Sequence, residues 1–122
     1  MITNGVIVDY QSWLELMYRA KTSVTPVAIL KALKQDKAQL FGSERDGVPR
    51  AFMLIETDTD HVRVVLHHSE NQECAQSLWR YIHKWCAKMG YDYISMTIKK
   101  HPRVIQRIFG MQITSYNMRV DV

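Results

Sequence analysis

The chain has 122 residues, of which 47% are hydrophobic, with two cysteines and a formal charge of +4. That length suits one domain whose core needs neither disulfide nor metal, and the mild basic surplus tolerates a polyanionic partner without amounting to a nucleic-acid-binding footprint. No apolar run approaches the ~20 residues of a membrane span, and the first residues lack a basic stretch followed by a long apolar one, so composition points to a soluble, cytoplasmic protein.

In chain order, Val6 to Val8 reads as a short strand. Residues 10–20 carry Trp13, Leu14, Met17 and Tyr18 at helical spacing behind a capping candidate at Asp9 or Ser12. Thr25-Pro26 opens a second helix, with Thr25 as cap and Pro26 in the first turn, where its missing N–H costs nothing. Ile29, Leu30 and Leu33 form its apolar stripe. Leu40 and Phe41 begin a strand that turns at Asp46-Gly47 into a second strand over 50–56, and the polar run 57–60 turns the chain again. The next strand, 61–68, is β-branched and alternating, which sets Val62, Val64 and Leu66 on one side of the pleat and Arg63, Val65 and His67 on the other.

From 71 to 89 the period changes. Ala75, Leu78, Trp79, Ile82, Cys86 and Met89 line one face of a long helix that Gly90 ends. Cys74 and Cys86 both fall on it, roughly 18 Å apart at about 1.5 Å per residue, too far to pair. Residues 91–98 return to period two, with Ile94, Met96 and Ile98 on one face, so strand, helix and strand predict a right-handed parallel βαβ unit. A short helix over 102–109 stops at Gly110, and one last strand from 111 to 122 places Tyr116, Met118, Val120 and Val122 on a common face. The fold class is therefore mixed α/β (α+β) in a single domain: an antiparallel meander, a parallel strand-helix-strand unit and a C-terminal strand, with helices on both faces.

This order resembles the GNAT fold of acyl-CoA-dependent N-acyltransferases over essentially the whole chain. The local match is His101-Pro102-Arg103-Val104-Ile105-Gln106-Arg107-Ile108-Phe109-Gly110-Met111, where Gly110-Met111 stands in place of the family's Gly-Phe. The resemblance implies that the strands flanking the main helix splay apart and that acyl-CoA lies in the gap. Its pyrophosphate then sits on the N–H groups of the main helix's first turn, a physically sensible place because those donors are unpaired and the helix end is partly positive.

The stretch that would grip the cofactor, His68-Ser69-Glu70-Asn71-Gln72-Glu73-Cys74-Ala75, departs from the family's Arg-x-x-Gly-x-Gly pattern, having neither glycine nor arginine. Ser69, Asn71, Gln72 and Cys74 are the residues left to bind it. Glu70 and Glu73 stand where the phosphates would approach and should repel them, while Ser69 with Gln72 reads as a capping box that consumes the donors. The general-acid tyrosine that the resemblance implies is absent from 105–107, which hold Ile105, Gln106 and Arg107. Tyr116 is the nearest tyrosine, and Glu56, His67 and His68 are strand-end candidates for a base. His67 and His68 point to opposite faces and cannot share a metal, and no other spacing fits one. Cys74 as a nucleophile is opposed by Glu70 and Glu73.

Joint loss of cofactor loop and general acid leads to the expectation of a non-catalytic binding or structural module with a degenerate acyl-CoA site and no cofactor. Small chains of this kind also resemble phage-encoded virion proteins. The alternative is an active N-acetyltransferase using acetyl-CoA on a primary amine. For a module, a protein partner or self-association is expected through Trp85, at the edge of the apolar stripe. Arg80, Lys84 and Lys88 recur every four positions on the outer helix face, as a solvated side or as a contact to phosphates, nucleic acid or an acidic surface.

Overall fold

A computed structural model describes residues 1–20, 25–34, 38–97, 112–114 and 117–122. Its elements are β1 (Ile2–Val6), a 3-10 turn (Tyr10–Trp13), α1 (Leu14–Arg19), α2 (Pro26–Lys34), β2 (Ala38–Arg45), β3 (Val48–Thr57), β4 (His61–Ser69), α3 (Gln72–Met89), β5 (Tyr93–Thr97), β6 (Gln112–Thr114) and β7 (Asn117–Asp121). They form one seven-stranded sheet in the order β1-β2-β3-β4-β5-β7-β6, with β4 and β5 parallel and the other neighbours antiparallel. The mixed sheet, the meander and the parallel crossover are as the sequence predicts.

Each face of the sheet buries its own core. Phe41, Met53, Ile55, Val62, Val64, Ile94 and Met96 pack beneath Leu78, Trp79, Ile82 and Cys86 of α3. On the opposite face Leu40, Phe52, Leu54 and Leu66 pack against Trp13, Leu16, Met17 and Ile29. Phe41 and Leu40 thus serve different cores, as period-two alternation requires. Thr25 caps α2 by accepting the Ala28 N–H at 3.2 Å, and the two-residue turn at Asp46 and Gly47 has positive φ at both, the twist that matches a hairpin.

Several expectations are corrected. The first strand spans Ile2–Val6 instead of 6–8, because its register with β2 runs from Ile2 opposite Arg45 to Val6 opposite Phe41. The segment from Tyr10 begins as a 3-10 turn and becomes α-helical only at Leu14. The last strand is two strands, β6 and β7, paired antiparallel. Met89 is 58% exposed and Cys74 is buried in its stead, so the buried stripe of α3 starts earlier and ends sooner than its spacing suggests. The helix over 102–109, Gly110-Met111, Ile98 and Tyr116 lie outside the described residues.

The most informative correction is in β4. Ile55 pairs with Val64, yet Leu54 pairs with Leu66, so Val65 is an extra residue. Such a bulge interrupts alternation. Val62 and Val64 face α3, whereas Leu66 faces α1 and α2, and the three do not share a side. His67, opposite Met53, comes to the α3 face, and His68, opposite Phe52, to the other.

Candidate functional site

The parallel pairing of β4 with β5 covers only His61–Val64 against Tyr93–Met96. Beyond it β4 runs on from Val65 to Ser69, about 16 Å at roughly 3.3 Å per residue, with no partner on the β5 side among the described residues. The bulge at Val65 sits where pairing stops. Among the described residues this unpaired side of β4 leads to the N-terminus of α3.

That helix end is largely occupied by its own chain. Asn71 is the cap, accepting the Cys74 N–H on its side-chain oxygen at 3.0 Å. The expected Ser69–Gln72 capping box does not form. Ser69 instead donates its hydroxyl to the Asn71 carbonyl at 2.7 Å and accepts the Asn71 N–H at 3.2 Å. The Glu70 N–H is taken by the Arg50 carbonyl at 2.8 Å, and the Ala75 N–H by the Asn71 carbonyl at 3.0 Å. Of the first-turn donors, those of Gln72 and Glu73 have no acceptor among the described residues.

Glu70 and Glu73 do not stand as bare negative charges. Arg19 of α1 reaches Glu70 with Nε at 3.1 Å and Nη2 at 2.8 Å, and also bonds Glu15 at 2.9 Å. Arg45 of β2 lies 3.2 Å from Glu73. The hydrogen bond from Arg19 holds the Glu70 carboxyl below the usual carboxylate range, and that same bond raises the Arg19 pKa. The expected repulsion of phosphate is thus partly cancelled by two arginines that sequence reasoning missed. Glu15 and Arg19 at i and i+4 were a local signal, but Arg19–Glu70 and Arg45–Glu73 are contacts between distant parts of the chain. Beside the Arg19–Glu70 pair a groove of about 430 Å³ runs between α1 and the start of β3, lined by Ser12, Leu16, Pro49 and Arg50.

The catalytic candidates are not gathered in one place. Glu56 lies opposite Arg63 in the strand register and forms an ion pair with it. It faces away from α3, while His67 faces toward it, and Tyr116 is outside the described residues. His68 packs its ring 5.9 Å from Phe52, with a buried Nε2 that has no partner among the described residues. Cys74 is fully buried. No group of three metal-ligating side chains occurs among the described residues. Trp85 is half-buried, with its ring 5.2 Å from Phe41 and 5.8 Å from Tyr91. Arg80, Lys84 and Lys88 are exposed and form no ion pair among the described residues.

Solved structures supply the comparison that decides the architecture. Ribosomal-protein-S18-alanine N-acetyltransferase from Escherichia coli superposes with a TM-score of 0.82 at 11% identity, over 100% of this chain and 94% of that one. An N-acetyltransferase from Staphylococcus aureus Mu50 gives 0.82 at 12%, covering 99% and 97%. The fold is the GNAT fold. A GNAT-family N-acetyltransferase from Escherichia coli in complex with CoA is also similar, at 0.76 and 13% identity over 99% of this chain and 80% of that one. No protein-family profile matches the sequence, and no curated protein matches it. The GNAT fold is thus retained here on a sequence that shares about one residue in nine with the first of these enzymes.

Proposed function

We propose that this GNAT-fold chain is a non-catalytic binding module whose cofactor-phosphate place is filled by its own side chains. The observation that carries this reading is the set of bonds that the chain makes to itself at the start of α3. Ser69 and Asn71 bond each other, Asn71 accepts from Cys74, and Glu70 bonds Arg50 and Arg19, so a pyrophosphate would have to displace an arginine-bound carboxylate and find a backbone without a glycine beside it. Arg80, Lys84 and Lys88, about 12 Å from first to last at roughly 1.5 Å per residue, offer an acidic protein surface a row of exposed cations without an ion pair among the described residues. A place in a virion is the setting suggested by sequence resemblance alone.

Calorimetric titration with acetyl-CoA and with CoA at moderate salt tests the reading. Absence of heat and of thermal stabilisation at about 1 mM ligand is the expected result. Binding tighter than about 100 μM, roughly −5.5 kcal/mol, would overturn it.

A second reading, an acyl-CoA-dependent N-acetyltransferase acting on a primary amine, is favoured by two features of the described residues: β4 beyond Val64 has no partner on the β5 side, and the Gln72 and Glu73 N–H groups have no acceptor. If the titration shows binding, release of free thiol from acetyl-CoA in an amine screen distinguishes transfer from mere retention of the cofactor.

A further inference from the structure

β1 is one end of the sheet, and its outer side has no partner among the described residues. The Ile7 N–H bonds the Leu40 carbonyl and the Asp46 N–H bonds the Met1 carbonyl. In an antiparallel ladder these bonded positions alternate, so Thr3 and Gly5 also turn their backbone groups toward β2. Ile2, Asn4 and Val6 turn theirs outward. Edges of this kind are ordinarily blunted by lysine, proline or a bulge. Here Ile2-Thr3-Asn4-Gly5-Val6-Ile7-Val8 contains no charge and no proline, and Val6 and Val8 are 49% and 83% exposed.

We infer that β1 is a self-association edge, pairing antiparallel with β1 of a second copy across a two-fold axis at Gly5 to join two sheets into one. An axis there sets Ile2 opposite Val8 of the second copy and Asn4 opposite Val6, so outward-facing backbone groups meet outward-facing groups. The glycines fall together at the axis in a non-hydrogen-bonded pair, the closest approach in such a ladder. A Cβ built on Gly5 would meet nothing within 4 Å, and a hollow of about 230 Å³ runs along the strand beside Trp13 and Gly42. Because the strand is neutral, its own copy meets no like charge, and Val8, 83% exposed, gains apolar cover from Ile2 of the second copy that a charged peptide would not give it. α3 itself packs beside this strand, with Asn4 donating to the Ser77 hydroxyl at 2.7 Å and Trp85 resting on Phe41, the partner of Val6, and the inference does not depend on whether CoA binds.

Sedimentation velocity from about 5 to about 300 μM, a span that covers weak dimers, tests the inference. A concentration-dependent dimer is expected. Val8→Lys places a charge opposite Ile2 of the second copy, and Val6→Pro removes one outward N–H while leaving the bonds to β2. Each should raise the dimer dissociation constant at least tenfold, with an unchanged melting midpoint for Val8→Lys because that side chain is 83% exposed. A wild-type chain that stays monomeric throughout overturns the inference. So does a dimer that is indifferent to Val8→Lys, or one that Trp85→Ala dissolves and Val8→Lys does not.

Discussion

Gly42 faces Gly5 across the β1–β2 ladder, and the two glycines make opposite predictions. A Cβ on Gly42 would lie 2.3 Å from Cη2 and 2.6 Å from Cζ2 of Trp13, and 2.8 Å from Cδ1 of Ile7. Trp13 is only 5% exposed and cannot swing away, so Gly42→Ala must push the indole and the 3-10 turn off the sheet. Overpacking of this sort costs about 1–3 kcal/mol, a fall in melting temperature of roughly 4–12 °C for a chain of this size. Gly5→Ala meets no atom and should stay within about 0.5 kcal/mol of wild type. Thermal and urea melts followed by circular dichroism give both values. A double-mutant cycle completes the test: on a Trp13→Ala background the cost of Gly42→Ala should largely vanish, leaving only the flexible end of Ile7 to accommodate. Equal effects of the two glycine substitutions, or a Gly42→Ala penalty that survives removal of Trp13, would refute the account.

Three further outcomes are expected. Asn71→Ala should lower stability by about 1 kcal/mol, as loss of a side-chain cap does, while Ser69→Ala should cost less because Ser69 caps no helix N–H; chemical denaturation compares them. The Glu70 carboxyl, held low by Arg19, contributes stability that is present at neutral pH and disappears as pH falls through its folded pKa. The stability gap between wild type and Glu70→Gln, measured by urea titration, should therefore narrow as pH drops below the ordinary glutamate value of 4.5. Burial pushes the Cys86 thiol up to about 11 from an ordinary 9.0, so its contribution is complete below 9.0 and is lost as pH rises toward 11. Alkaline melts of Cys86→Ala, less stable at neutral pH, should show a flatter decline over that range than wild type.

The sequence made the architecture legible where one periodicity held over a whole element. The α3 stripe of Leu78, Ile82 and Cys86, the Gly90 stop with φ of 87° and the Asp46–Gly47 turn are local properties of adjacent residues, and each appears in the structure. β4 misled because a bulge is a relation between two strands: nothing in Val64-Val65-Leu66 says that Leu54 will pair with Leu66 while Ile55 pairs with Val64. The site misled for the same reason. Asn71 and Ser69 are both plausible caps in isolation, and the choice between them depends on where β4 releases the chain. Glu70 and Glu73 read as two repelling charges until the fold brings Arg19 and Arg45 alongside.

The extra residue at Val65 gives β4 two halves whose side chains are out of phase. Residues before it answer to α3, and Leu66 after it answers to α1 and α2, so the strand is a joint between the two cores instead of a shared wall. Amide exchange along β4 should accordingly report two layers: protection from His61 to Val64 set by the α3 core and its parallel neighbour, and protection beyond Val65 set by the antiparallel bonds to β3. Deleting Val65 would remove the residue that has no partner on β3 and let Val64, Leu66, His67 and His68 follow one another in simple alternation, each opposite the β3 residue it already faces.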